Sequence, residues 1–178
     1  MKKTRNRFAA FLAALLIAAL LAACGGQQAP AEEETKKVDL TAVYSDIFAA
    51  LREKEPEVPE DYLVDIEGEM LEYNYAGLSE IPTEQFVAKM PMMSAVACEV
   101  VLMECQSAED ADKAQKILQA RIDYQVGDDE TPGGAWYPET IESWKRSSVQ
   151  RQGNYVALLA VDGIQSQAEE IFNGAFAA

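Results

Sequence analysis

The sequence predicts an α+β domain: a two-layer sandwich with an antiparallel sheet of about four strands and helices packed mainly on one face. Three observations carry that expectation. Apolar residues recur at helical spacing in some stretches and in short unbroken runs in others, so both element types are present. The strand-like runs come in neighbouring pairs with little chain between them, which implies antiparallel pairing. The unit strand, strand, helix occurs twice, without a matching sequence repeat. The 178 residues fit one such domain.

The first 23 residues are read as a leader outside that domain. Lys2, Lys3, Arg5 and Arg7 form a positive n-region, and Phe8 to Leu21 then runs without a polar residue. This is the layout of a secretory signal peptide. A membrane span needs about 20 apolar residues, and Phe8 to Ala23 offers 16. The segment closes on Leu21-Ala22-Ala23-Cys24, which resembles a bacterial lipobox in all four positions. The resemblance implies cleavage between Ala23 and Cys24 and a diacylglyceryl group on the Cys24 thiol. Two acyl chains hold a protein stably where one does so only marginally. The expected location is therefore the extracytoplasmic face of the cell membrane, with a lipid anchor.

Residues 24–37 are read as a lipidated tether. Gly25 to Lys37 reads GGQQAPAEEETKK, with no periodic apolar residue. Such a stretch cannot bury enough surface to offset its ordering entropy. The folded domain is placed at residues 38–178.

Within that domain Asp39 caps a first helix, carried by Leu40, Val43, Tyr44, Ile47, Phe48 and Leu51, which ends near Lys54 before Pro56. A loop follows to Leu63. A shorter helix is expected from Ile66 to Ala76, capped by Asp65, closed by Gly77, with Ile66, Met70 and Tyr73 on its apolar side. Gln85 to Met90 reads as a strand that Pro91 ends or confines to an edge. Ala95 to Cys105 is nearly all apolar and should be a central strand. Ser107 and Asp110 form a capping box for a helix bearing Ala111, Ala114, Ile117, Leu118 and Ile122, stopped at Gly127. Pro138 suits the first position of a short helix with Ile141 and Trp144. Ser147 to Gln152 and Asn154 to Val161 form a hairpin around Gly153, with Tyr155, Ala157, Leu159 and Val161 on one face. Ser166 and Glu169 suggest a capping box for the last helix, whose stripe is Ala168, Ile171, Phe172, Ala175 and Phe176.

Composition excludes several functions. Thirty acidic residues against 15 basic ones give a formal charge of −15, which disfavours nucleic-acid binding because phosphates need clustered Lys and Arg. Removing the four basic residues of the leader leaves 11 against 30, a formal −19. There is no histidine, so Ser-His-Asp and Cys-His catalysis and the commonest zinc ligand are missing. No nucleophile elbow, P-loop, dinucleotide fingerprint or Cys-pair metal spacing occurs. No cofactor is expected.

Local strings remain as candidates. Met90, Met92 and Met93, in Lys89-Met90-Pro91-Met92-Met93, are a candidate ligand or packing motif, because exposed thioethers bind Cu(I) and buried ones fill gaps. Tyr73-Asn74-Tyr75 is a candidate sugar platform or an ordinary amphipathic edge. Asp128-Asp129-Glu130 is acidic but lacks a calcium-loop layout. Cys98 and Cys105 lie seven apart, so on one strand they face opposite ways and stand too far apart for a disulfide.

Several strings together point to a family. Asp39-Leu-Thr-Ala-Val-Tyr44, Val87-Ala-Lys-Met-Pro-Met-Met93, Ala111-Asp-Lys-Ala114, Ala120-Arg-Ile-Asp-Tyr-Gln125 and Gly153-Asn-Tyr-Val-Ala-Leu-Leu159 follow one another. With the lipobox, they resemble the bacterial lipoproteins grouped as domain of unknown function four-three-five-eight. The resemblance spans Val38 to Phe172 and implies a cell-envelope lipoprotein with a small α+β domain. It brings no activity and no catalytic residues. The expected role is a non-enzymatic protein- or ligand-binding domain, with the membrane and an envelope protein as partners. The alternative is a carboxylate-based hydrolase of the envelope, which an acidic cluster in a pocket with Trp136 or Trp144 would favour.

Overall fold

The structure is a computed structural model and describes residues 36–93 and 95–177. In chain order the elements are α1 (Leu40–Lys54), β1 (Leu63–Asp65), α2 (Gly68–Asn74), a 3-10 turn (Leu78–Glu80), β2 (Thr83–Pro91), β3 (Cys98–Cys105), α3 (Ala108–Val126), α4 (Pro138–Arg146), β4 (Ser148–Gln152), β5 (Tyr155–Val161) and α5 (Gln165–Ala175). The α+β class is as expected. The five strands lie in the order β1-β2-β3-β5-β4, every neighbouring pair antiparallel.

Local chemistry starts most elements where the sequence places them. The Asp39 carboxylate accepts from the backbone nitrogens of Thr41 and Ala42, which caps α1. Ser107 Oγ accepts from Asp110 N at 3.1 Å to cap α3. Gly127 ends that helix at φ +68° and ψ −170°, a conformation essentially confined to glycine. Pro138 opens α4, where its missing N–H costs nothing. The β4–β5 hairpin turns through Gly153 and Asn154, with positive φ only at Gly153, the pattern of a II′ turn.

The sheet is covered on both faces, not mainly on one, and this corrects the two-layer expectation. Tyr155, Ala157, Leu159 and Val161 of β5 pack with Cys98, Val100 and Leu102 of β3 under α1 and α5. Val156, Leu158 and Ala160 pack with Val101, Met103 and Cys105 under α3, Trp144 of α4 and the segment around Tyr75. A strand that is apolar at every position needs cover on both sides, and all seven residues of β5 are buried.

Other expectations are corrected. There are five strands, not four, because Leu63–Asp65 joins the edge of β2, with Asp65 opposite Lys89 and their side chains paired at 2.8 Å. Asp65 is therefore not a helix cap. α2 begins only at Gly68, with Glu67 at its N-cap and no side-chain capping bond. Met70 and Tyr73 point to solvent, while Leu71 and Tyr75 are buried. The Ser166 capping box does not form. α5 starts at Gln165, whose amide accepts from Val161 N and donates to Leu159 O, and Glu169 accepts from Ser148 Oγ and Gln165 Nε2.

Candidate functional site

Among the described residues, the buried charged side chains are Glu99 of β3 and Arg121 of α3. Glu99 lies on the face that carries Val101 and Met103. Arg121 lies one helical turn beyond Leu118 on the buried side of α3. Arg121 Nη2 donates to Glu99 Oε1 at 2.5 Å and Nε donates to Oε2 at 3.0 Å. Tyr75 donates its hydroxyl to Oε2 at 2.7 Å. The guanidinium carbon stands 5.6 Å from the ring centroids of both Tyr75 and Trp144, within cation–π range.

The electrostatics follow from burial and from this pairing. Burial, and then the Glu99 carboxylate, hold the Tyr75 hydroxyl well above its ordinary value, so it remains a donor. Burial works against the charge of Arg121. The hydrogen bonds and charge of Glu99 outweigh it, and the guanidinium titrates above its usual range. The floor is thus a neutral unit made of two opposite charges.

Above the pair opens a cleft of about 260 Å³ lined by Tyr73, Asn74, Arg121, Tyr124, Trp136 and Trp144 among others. Trp144 is buried in its wall, and Trp136 is 88% exposed at its rim. Trp136 follows a loop that is pinned by backbone bonds. Gly134 N donates to Tyr124 O at 2.8 Å and Ala135 N to Gln125 O at 3.1 Å. Gly127 and Pro132 form a β-bridge. Asp128 Oδ1 accepts from Glu130 N and Thr131 N, so one oxygen of the acidic string serves the turn itself. A larger hollow of about 590 Å³ runs from Ile122 to Lys145. Its charged side chains, Asp123, Asp128 and Lys145, are all exposed, and it has no built polar floor.

The sequence candidates are distributed unevenly around this cleft. Tyr73 and Asn74 line it, whereas Tyr75 is buried beneath it. Met90 is half-buried in its wall, in a packing role, and Met92 and Met93 are exposed beyond it. No group of three or more His, Cys, Asp or Glu arranged to hold a metal occurs among the described residues. Cys98 and Cys105 are free and buried on opposite faces of the sheet. Ala23 and Cys24 lie outside the described residues, as does most of the tether. No local pattern in the sequence marks Glu99 and Arg121 as a pair. The available signal was a charge in the middle of an apolar strand, Ala97-Cys98-Glu99-Val100-Val101.

The cleft has tryptophans, but among the described residues Glu99 is the single carboxylate lining it. Glycoside hydrolysis of the usual kind takes two carboxyl groups, one on each side of the bond. The arrangement presents flat aromatic faces, side-chain amides and a fixed guanidinium.

No curated protein and no solved structure matches the chain. A family model described as a domain of unknown function (DUF4358) matches residues 58–161. That span holds the whole sheet from β1 to β5 and every residue of the cleft. The chain belongs to the DUF4358 family.

Proposed function

We propose that this chain is a lipid-anchored, extracytoplasmic binding protein whose aromatic cleft holds a small ligand. The observation that carries the reading is the cleft over the Glu99–Arg121 pair. Buried charges are costly unless fully paired, and here an almost sealed pair lies at the base of a ligand-sized opening. Concave sites with aromatic walls and a few placed polar groups are the usual form of a small-molecule site. Binding is favoured over hydrolysis because Glu99, the one carboxylate in the cleft among the described residues, is already bonded to Arg121 and Tyr75. The leader and Leu21-Ala22-Ala23-Cys24 support the anchor.

The cleft is tested on the full chain with 15N-labelled indoles, titrated with small molecules extracted from the host envelope. The chain has two tryptophans, so two indole N–H signals report on the rim and the wall separately. Both should shift in wild type, and Trp136→Ala should weaken the shift of Trp144. Signals that stay fixed throughout would rule out the cleft as the binding site. The anchor is tested by labelling with palmitate in the host, where Cys24→Ala should lose the label.

A further inference from the structure

We infer that the cleft takes one uncharged sugar ring of a saccharide, an inference that rests on the binding role proposed above and names its ligand class. Size comes first. Pockets for drug-sized ligands run from about 300 Å³ upward, so about 260 Å³ suits a single ring. The walls come second. Tyr73, Tyr124 and Trp136 are exposed aromatic side chains at one opening, 83%, 58% and 88% exposed. The negative face of an aromatic ring attracts the slightly positive C–H groups on the face of a pyranose. A sugar satisfies such rings without burying a charge.

The floor decides the charge of the ligand. Arg121 lines the cleft with Nε and Nη2 committed to Glu99. Because Glu99 neutralises it, the guanidinium carries little net attraction for an anion. The protein's excess of acidic residues repels anions further. Among the described residues a cation finds no free carboxylate at the floor, since Glu99 is bonded to Arg121 and Tyr75. A hydroxyl or an acetamido group needs no opposite charge. The amides of Asn74 and Gln125 line the same opening and can accept from or donate to the remaining hydroxyls.

The full chain, purified in detergent, is titrated with neutral hexose and N-acetylhexosamine trisaccharides and separately with choline. Affinity is read by calorimetry and position by the two indole signals. At least one neutral trisaccharide should bind and move both signals. Trp136→Ala and Tyr73→Ala should each weaken it by about tenfold, the loss of one stacking face. Both side chains are exposed, so the variants should melt as wild type does. Choline binding without saccharide binding would overturn the sugar assignment and leave the binding reading standing, since exposed aromatic faces also attract quaternary ammonium groups. Silence from every saccharide overturns the assignment as well. The binding reading itself falls only if the envelope extract also leaves the indoles unmoved.

Discussion

Glu99 and Arg121 face each other across the α3–β3 interface with every short-range bond arranged for charge. A buried ion pair is weak evidence of net stabilisation, yet removing one partner leaves the other charge stranded. Glu99→Gln and Arg121→Met should therefore each cost about 3–5 kcal/mol in urea denaturation, and the double variant should cost less than the sum. Additive losses would mean that the two groups do not act as a unit. The thiols give a second residue-scale expectation. Burial pushes Cys98 up to about 12 and Cys105 up to about 11, from 9.0. Between those values the unfolded chain has lost protons that the fold retains. Stability from these thiols is complete below pH 9 and falls as pH rises toward 12. Tyr44, pushed by burial up to about 12 from 10.0, acts in the same direction at higher pH. The urea midpoint should hold up to about pH 8.5 and then decline. Cys98→Ala with Cys105→Ala should delay the decline to about pH 10, where tyrosines begin to ionise. A wild-type midpoint unchanged up to pH 11 would contradict this.

At the scale of elements, the segment between α3 and α4 sets the position of Trp136. A Cβ at Gly133 would lie 2.4 Å from Gln125 O, a backbone atom that cannot step aside. A Cβ at Gly134 would lie 2.5 Å from Tyr124 Cε1, at the end of a half-exposed side chain that can turn. Gly133→Ala should cost about 1–3 kcal/mol and move the Trp136 indole signal, whereas Gly134→Ala should cost less. Equal costs would show that the loop is not held by its backbone. The sequence was legible where a rule is local. Asp39, Ser107, Gly127, Pro138 and the Gly153-Asn154 turn all mark boundaries that the fold uses. It was opaque where a partner distant in sequence decides. Leu63–Asp65 becomes a strand only because β2 offers it an edge. Ser166 yields its cap to Gln165, which reaches back to β5. The seven apolar residues of β5 already implied two covered faces. The expectation of helices mainly on one face missed the second, because α1 and α5 arrive from opposite ends of the chain to cover it. The cleft was half legible: the string Tyr73-Asn74-Tyr75 and the two tryptophans stand out in the sequence, but nothing there joins them. What joins them is the docking of Arg121 on Glu99, between residues 22 apart in sequence.

For the molecule as a whole, charge imbalance is the dominant electrostatic fact. The ion pairs other than Glu99–Arg121 each have at least one well-exposed partner. Exposed pairs contribute about 0–1 kcal/mol each, and salt weakens them. Against them stands mutual repulsion among 30 acidic residues balanced by only 15 basic ones, and in the compact state those charges are held close together. Salt screens that repulsion as well, and it does so over longer distances than within a contact pair. The Debye length falls from about 30 Å at 0.01 M to about 8 Å at 0.15 M. At the lower salt concentration most acidic residues of a small domain feel one another, and at the higher only near neighbours do. The buried Glu99–Arg121 pair is shielded from solvent ions and contributes equally at both. Screening should therefore remove more repulsion than attraction. The melting temperature should rise by about 2–6 °C between the two salt concentrations, given about 2–4 °C per kcal/mol for a domain of this size. Scanning calorimetry in sodium chloride measures it directly. A fall would mean that the exposed pairs, notably Lys113 with Glu109 and Asp110 on α3, hold the fold more strongly than the surplus carboxylates strain it.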